Sequence, residues 1–262
     1  VELTVERVRV HLIDEGSGTP VLFLHGNPDS ADLWKGIIAQ LNGQHRCLAP
    51  DLPGFGRSIA PANFDCSLDH MAQHIDTLLK AIGIAEPLNL VVHDFGGPFG
   101  LAWAVKHPAK VKRIVVMNTT FFSDYRHHAW ARVWRAPLLG EISMLAMNRR
   151  LFFREMSRGS RKLTPDHIQR TYDLITWPMK RMVLRLYRAT NPKNFVGWEN
   201  RLTELTAKVP VLVLWGDRDP YISKRFAERF GAQQVVHFPD CGHWVPVEAV
   251  DEVSSHLLNF LQ

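Results

Sequence analysis

The chain has 262 residues, 46% of them apolar and 22% charged, which suits one globular domain with a sizeable core and excludes a disordered or low-complexity protein. No apolar run reaches the roughly 18–20 residues of a membrane span, and Val1–Val10 lacks the apolar core of a signal peptide. The net charge of +5 is uneven: residues 124–199 hold twelve Arg and three Lys against six Asp or Glu, yet no helix-turn-helix, zinc-finger or RNA-binding signature accompanies them, so helices with a solvated basic face are expected rather than a nucleic-acid partner.

Val1–Asp14 alternates like a strand, and Glu15-Gly16-Ser17-Gly18 turns the chain. Val21–Leu24 is a short apolar run ending at His25-Gly26-Asn27-Pro28, which predicts a buried parallel strand entering a loop. A helix is expected over Ala31–Leu41, a second strand over Cys47–Pro50, a helix over Leu68–Ile82 and a third strand over Leu88–Val92. Pro98–Lys106 reads as a helix and Val111–Met117 as a fourth strand. From 123 to 198 the alternation stops, and only helical patterns remain: Ala129–Met147, Arg149–Arg158, Pro165–Leu174 and Pro178–Ala189. It resumes with a strand at Val209–Trp215, a helix at Ser223–Phe230, a strand at Val235–Phe238 and a closing helix at Pro246–Leu261. The pattern predicts an α/β fold with a mostly parallel sheet, its core spanning 1–122 and 199–262 and interrupted by a helical subdomain over 123–198.

Cys47, Cys66 and Cys241 are an odd number without CxxC spacing. They argue against a disulfide framework or a zinc knot and suit a cytoplasmic protein, though whether a targeting segment precedes Val1 is open.

The segment Val92-His93-Asp94-Phe95-Gly96-Gly97-Pro98 carries the most chemistry. A strand runs into a tight turn and then a helix opened by Pro98, with glycines where turn and helix must pack closely. This is the pattern of a nucleophile elbow with Asp94 in the central place; the same Asp could instead cap the helix. Two further residues favour the nucleophile. Asp217 and Asp219 follow the strand ending at Trp215, and His243 lies on a loop after the last strand, which gives the order nucleophile, acid, histidine. Asp219 is the better acid because the motif reads Gly-x-x-Asp-Pro, leaving Asp217 as a turn residue.

With these residues in place, the sequence resembles the aspartate-nucleophile branch of the α/β-hydrolase superfamily, most of all the haloalkane dehalogenases, with epoxide hydrolases next. His25–Pro28 is similar to that family's oxyanion loop, Asp51–Ser58 to a superfamily-wide loop, and Asn118 after the fourth strand to subgroups whose acid comes from the later loop. The resemblance implies that Asp94 forms an alkyl ester with a small apolar haloalkane and that His243, oriented by Asp219, activates water to hydrolyse it. Asn27 would hold the halide, and the backbone N–H groups of Asn27 and Phe95 the ester oxyanion. Neither a metal nor an organic cofactor is implied. One departure stands out: the family usually has Trp after the nucleophile, and Phe95 has no N–H to offer a halide. Either the helical cap over 123–198 supplies the donor, through a residue such as Trp177, Trp134 or Trp130, or the leaving group is not a free halide. Phe122, Tyr172 and Trp244 are expected to line the pocket. Two other readings stay open: an epoxide hydrolase using Tyr125, Tyr172 and Tyr187 as acids, and a non-catalytic ligand receptor on the same scaffold. Oligomeric state is not legible.

Overall fold

The computed structural model describes residues 1–262. Eight strands form one sheet: β1 (Glu2–Val5), β2 (Val8–Glu15), β3 (Thr19–Leu24), β4 (His45–Pro50), β5 (Leu88–His93), β6 (Val111–Met117), β7 (Val211–Gly216) and β8 (Gln234–Phe238). Their spatial order is β1-β2-β4-β3-β5-β6-β7-β8. The first two strands are antiparallel and the rest parallel, as expected for strands joined by helices. The central strands β3, β5, β6 and β7 are mostly apolar and buried, with Lys112 and Arg113 at the start of β6 the main exceptions, because helices cover both faces of the sheet.

Helices α1 (Lys35–Leu41), α2 (Leu68–Ala81) and α3 (Gly96–Lys106) link the first strands. Leu68, Met71, Ala72, Ile75, Leu78 and Leu79 recur at helical spacing along α2, and Ser67 caps it by accepting from the His70 N–H. Helix α3 is buried on all sides from Gly96 to Ala104. Between β6 and β7 lie α4 (Ala129–Arg135), α5 (Leu139–Ala146), α6 (Arg149–Gly159), α7 (Pro165–Asp173), α8 (Trp177–Ala189) and α9 (Trp198–Thr206); α10 (Val245–Glu248) and α11 (Val250–Phe260) close the chain. No helix is long and apolar enough to cross a membrane.

Four elements differ from expectation for identifiable reasons. The N-terminal stretch is a hairpin rather than one strand, because Glu6 and Arg7 both take left-handed backbone (φ 49° and 65°) and reverse the chain. The expected Ala129–Met147 helix is two helices, parted where Pro137 removes a backbone donor and Leu138 turns left-handed (φ 68°). The helix expected at Ser223–Phe230 is a 3-10 turn over Lys224–Arg229. Helix α9 has no counterpart in the sequence reading; its buried residues are only Leu202, Leu205 and Thr206, too sparse a stripe to stand out.

The strand order places the site. From β3 the chain goes to β4 on one side, while β5 lies on the other, so loops leaving β3 and β5 diverge at their carboxyl ends. A crevice opens at such a switch point, and parallel sheets bind ligands there. Asn27 follows β3 and Asp94 follows β5.

Candidate active site

Asp94 sits at φ 47°, a left-handed conformation rare for a side chain larger than glycine, and one that lifts its carboxyl out of the turn. Its turn is fastened by Gly97 N–H donating to the Asp94 carbonyl (2.9 Å) and by the Thr119 hydroxyl donating to the same oxygen (2.5 Å). Gly26 lets the β3 loop pass against this carboxyl, since a Cβ at 26 would collide with the Asp94 side chain. The loop itself is held by His25. Its Nε2 accepts from Leu52 N–H (2.8 Å) and its Nδ1–H donates to the Gly26 carbonyl (2.8 Å), a neutral tautomer favoured by burial.

The two oxygens of Asp94 face different partners. Oδ1 accepts the backbone N–H of Asn27 at 2.8 Å, and Oδ2 lies 3.5 Å from Nε2 of His243. Nδ1 of His243 meets Oδ2 of Asp219 at 2.7 Å. Asp219 in turn accepts from the backbone N–H groups of Tyr221 (2.7 Å) and Ile222 (3.1 Å) and from the Asn118 amide (2.9 Å). Asn118 also brackets Gly216, donating to its carbonyl (3.1 Å) and accepting its N–H (2.9 Å), so β6 and β7 both position the acid. Asp217 turns away to His237 (2.6 Å) and Lys224 (3.3 Å).

Burial alone would push the His243 imidazole down, but Asp219 and Asp94 on either side raise it to about 10. Burial likewise opposes a charge on Asp94, yet the imidazolium and the Asn27 N–H hold its carboxyl below the usual range. Asp94 therefore rests as a carboxylate against the His243 imidazolium, the His243 side chain 2% and the Asp94 side chain 13% exposed. His93 stays neutral, lowered to about 4 by burial and by its cationic neighbour; its Nε2–H donates to the His243 carbonyl at 2.8 Å. A second acid, Asp29, is buried close by. Burial pushes it up to about 7, and it accepts the Trp244 indole N–H at 2.8 Å.

Above Asp94 lies a cavity of about 120 Å³, roofed by residues from α4, α5, α6 and α8, with 15 of its 27 lining residues hydrophobic. Of the residues expected there, Asn27, Asp94, Phe95, Trp134, His243 and Trp244 line it, as do Tyr125 and Tyr187. Four expected residues do not. Trp177 is 47% exposed: the inward stripe of α8 is Met179, Val183, Leu186 and Tyr187, and Trp177 falls outside that phase. Trp130 stacks on the outer side of Trp134. Phe122 turns into the core against Phe226 and Phe230. Tyr172 lies behind Phe152, which takes the lining place. Trp134 presents its ring to the cavity while its indole N–H is enclosed in the packing without a partner.

The sequence reading missed His128, Glu155 and Tyr221, which also line the cavity. Only Tyr221 left a signal, standing two residues after Asp219 on the turn that binds it. His128 caps α4: its Nδ1 accepts the Ala131 N–H at 3.3 Å. Burial lowers it to about 4, so it is neutral and its proton resides on Nε2, 3.2 Å from the Tyr187 hydroxyl. Tyr187 thus receives a hydrogen bond, and its hydroxyl also lies within hydrogen-bonding reach of the Asn27 side chain. Of the other cavity tyrosines, Tyr125 donates to the Tyr221 carbonyl (3.4 Å) and Tyr221 to Glu155 (3.1 Å). Tyr187 is buried, packs edge-on against Phe95, and its phenol is raised far above its ordinary value by burial and by Asp94.

A switch-point crevice with an acid elbow and a histidine–acid pair belongs to a well-populated class, and comparison with known proteins agrees. The family model for the alpha/beta hydrolase fold matches residues 19–250, and the chain belongs to that family. A cis-3-alkyl-4-alkyloxetan-2-one decarboxylase of Shewanella oneidensis is 30% identical over 97% of this chain and 85% of that protein. Haloalkane dehalogenase 2 of Mycobacterium bovis is 29% identical over 96% of this chain and 91% of that protein. Among solved structures, an ancestral haloalkane dehalogenase superposes with a TM-score of 0.83 at 24% identity, covering 100% of this chain and 98% of that one. An epoxide hydrolase superposes at 0.82 and 20% identity, covering 99% and 97%. At those identities the superpositions speak for the fold alone.

Proposed function

We propose that this hydrolase displaces a leaving group from an sp³ carbon of a compact apolar substrate, with the Asp94 carboxylate as nucleophile and His243 as the base that hydrolyses the resulting ester. One observation carries the reading: Asp94 has one oxygen on a backbone N–H and the other beside an imidazole that is itself bound to a second acid. Oδ2, the oxygen without a backbone donor, attacks carbon, and the departing group leaves with the bonding electron pair. Esterification removes the negative charge 3.5 Å from His243, so the support that raised its pKa weakens and the imidazolium releases its proton. The neutral imidazole then takes a proton from water, and the hydroxide adds to the Asp94 carboxyl carbon. The oxyanion falls to the N–H groups of Asn27 and Phe95. Collapse breaks the bond between that carbon and the substrate oxygen, and the alcohol departs with a proton from His243.

For a haloalkane the balance is water in, alcohol, halide and one proton out. The Asn27 side chain and the dehalogenase relatives support this substrate class. A second reading has its own observation behind it. The Trp177 and Trp134 indoles offer no N–H to the cavity, whereas the Tyr187 hydroxyl is on its wall beside the Asn27 side chain. A hydroxyl donor suits a leaving oxygen that stays attached to the substrate, as in a strained epoxide or an oxetan-2-one, the ring named for the Shewanella relative.

The test is intact-mass analysis of His243→Gln incubated separately with a haloalkane, an epoxide and an oxetan-2-one. Adduct on Asp94 with halide release establishes dehalogenation. Adduct from the cyclic substrates alone, abolished in Tyr187→Phe, moves the assignment to ring opening. Absence of any Asp94 adduct refutes the ester mechanism.

A further inference from the structure

Helix α5 has two faces of opposite character. Gly140, Met144 and Met147 recur at helical spacing on the inner face, and both methionines line the cavity. On the outer face Leu138, Ile142 and Leu145 recur at the same spacing and are 75%, 59% and 71% exposed, with Leu139 beside them at 58%. Trp177, 47% exposed, opens α8, whose Lys180 ammonium one turn further along binds the carbonyls of Met144 and Met147 and seats α8 against the end of α5. No other segment of the chain exposes so many large aliphatic side chains together. Leu138 holds its place at φ 68° and ψ −48°, a conformation that glycine would adopt at lower cost. An apolar residue kept at a strained, exposed position points to a use for its side chain.

The helical segment is basic. Arg132, Arg149, Arg150, Arg154 and Arg181 are exposed on α4, α6 and α8. Within 124–199 only Arg158 and Arg188 have carboxylate partners from the same segment, Glu155 and Glu141. An apolar ridge on a helical segment with an excess of unneutralised arginines matches one kind of surface: apolar just below, anionic on top.

We propose that the outer face of α5 docks on an anionic lipid surface, inserting Leu138, Leu139, Ile142 and Leu145 among the acyl chains while arginines of the same segment bind headgroup phosphates. A second copy of the chain fits the face poorly. It would oppose two basic segments, and one face of an eight-residue helix, about 12 Å long, falls far short of the roughly 1,200 Å² that a stable protein interface buries. The docking does not depend on the Asp94 chemistry, but it gives that chemistry a supply. Apolar substrates partition into lipid, and the helix that would meet the membrane carries the cavity wall on its other side.

The experiment is co-sedimentation of the full chain with vesicles of phosphatidylcholine and phosphatidylglycerol in equal parts, against vesicles of phosphatidylcholine alone. The comparison variant is Ile142→Gln with Leu145→Gln, two exposed positions outside the cavity, with circular dichroism as the check on folding. Binding to the mixed vesicles is expected, weakened by salt and reduced at least about tenfold in the double variant. Equal binding by both proteins, or no binding to the anionic vesicles, overturns the proposal. So does a dimer in sedimentation velocity that the double variant dissolves, which would identify the face as a contact between copies.

Discussion

Asp94 carries a charge in a place where burial opposes one, and His243 is the reason it can. In His243→Gln the carboxyl keeps its burial and loses its cationic neighbour, so its pKa moves up while that of the native enzyme stays depressed. Ester formation needs the carboxylate. In the native protein it should persist below the ordinary carboxylate range, whereas in the variant it should fall away at least about one pH unit higher. The initial rate of leaving-group release, which reports ester formation in both proteins, measures the difference between pH 3 and 8, and superimposable profiles would show that the imidazolium does not support Asp94. Gly26 allows a steric test of the same carboxyl. In Gly26→Ala the new Cβ meets the Asp94 side chain, and a displaced nucleophile should lose roughly 100-fold in ester formation. A variant that reacts normally would mean the loop has room to yield. Asp94, Asp219, His243 and Asn27 were legible in the sequence because each stands at a strand end, where chemistry and topology constrain the residue type. Trp177 and Tyr187 show where that legibility stops. Both are aromatic residues of α8, and only the helix phase, set by packing against α4 and α5, decides which one reaches the cavity.

At the scale of elements, the alternation of strands and helices was readable because central strands are mostly apolar runs and the helices between them have stripes. The break between α4 and α5 was not, although Pro137 was in view, because apolar residues continue through it as Leu138 and Leu139. On the sheet's flank, α2 and α3 are joined by a polar device the apolar pattern also hid. Asp76, only 3% exposed, takes Lys110 at 2.6 Å and Lys80 at 2.8 Å, and the Trp103 indole of α3 at 3.4 Å. These partners hold its carboxyl well below the usual range, against burial. Asp76→Asn leaves two ammonium groups facing an amide and should cost about 2 kcal/mol, roughly 4–8 °C in Tm for a chain of this size. Because the folded-state pKa is depressed, this contribution is present above the unfolded value near 4 and lost as pH falls through the folded one. Thermal melts of the two proteins should therefore differ at pH 7 and converge in strong acid. A constant gap at all pH values would place the cost in packing rather than in charge.

Across the whole molecule, the three thiols report on cooperativity between the sheet and the helices above it. None is exposed, and thiolate formation is disfavoured at each: burial pushes Cys47 and Cys66 up to about 12 and raises Cys241 as well. A thiol reagent therefore reacts only when the chain opens. The three sit on different structures. Cys47 is inside the sheet on β4, fully buried among strands and α1. The Cys66 thiol contacts the Met182 sulfur at 3.6 Å, where the loop before α2 meets α8, and Cys241 lies 3.6 Å from the Lys162 ammonium between α6 and α7. Both therefore bridge the core and the helical segment. If that segment lifts without unfolding the sheet, one way to admit substrate to the roofed cavity, Cys66 and Cys241 become labelled while Cys47 stays protected. Mass-resolved labelling in native buffer should show two modifications well before the third, with Cys47 reacting at the rate of global unfolding measured in denaturant. Simultaneous labelling of all three would mean that the helices and the sheet open only together, and that substrate enters by side-chain motion alone.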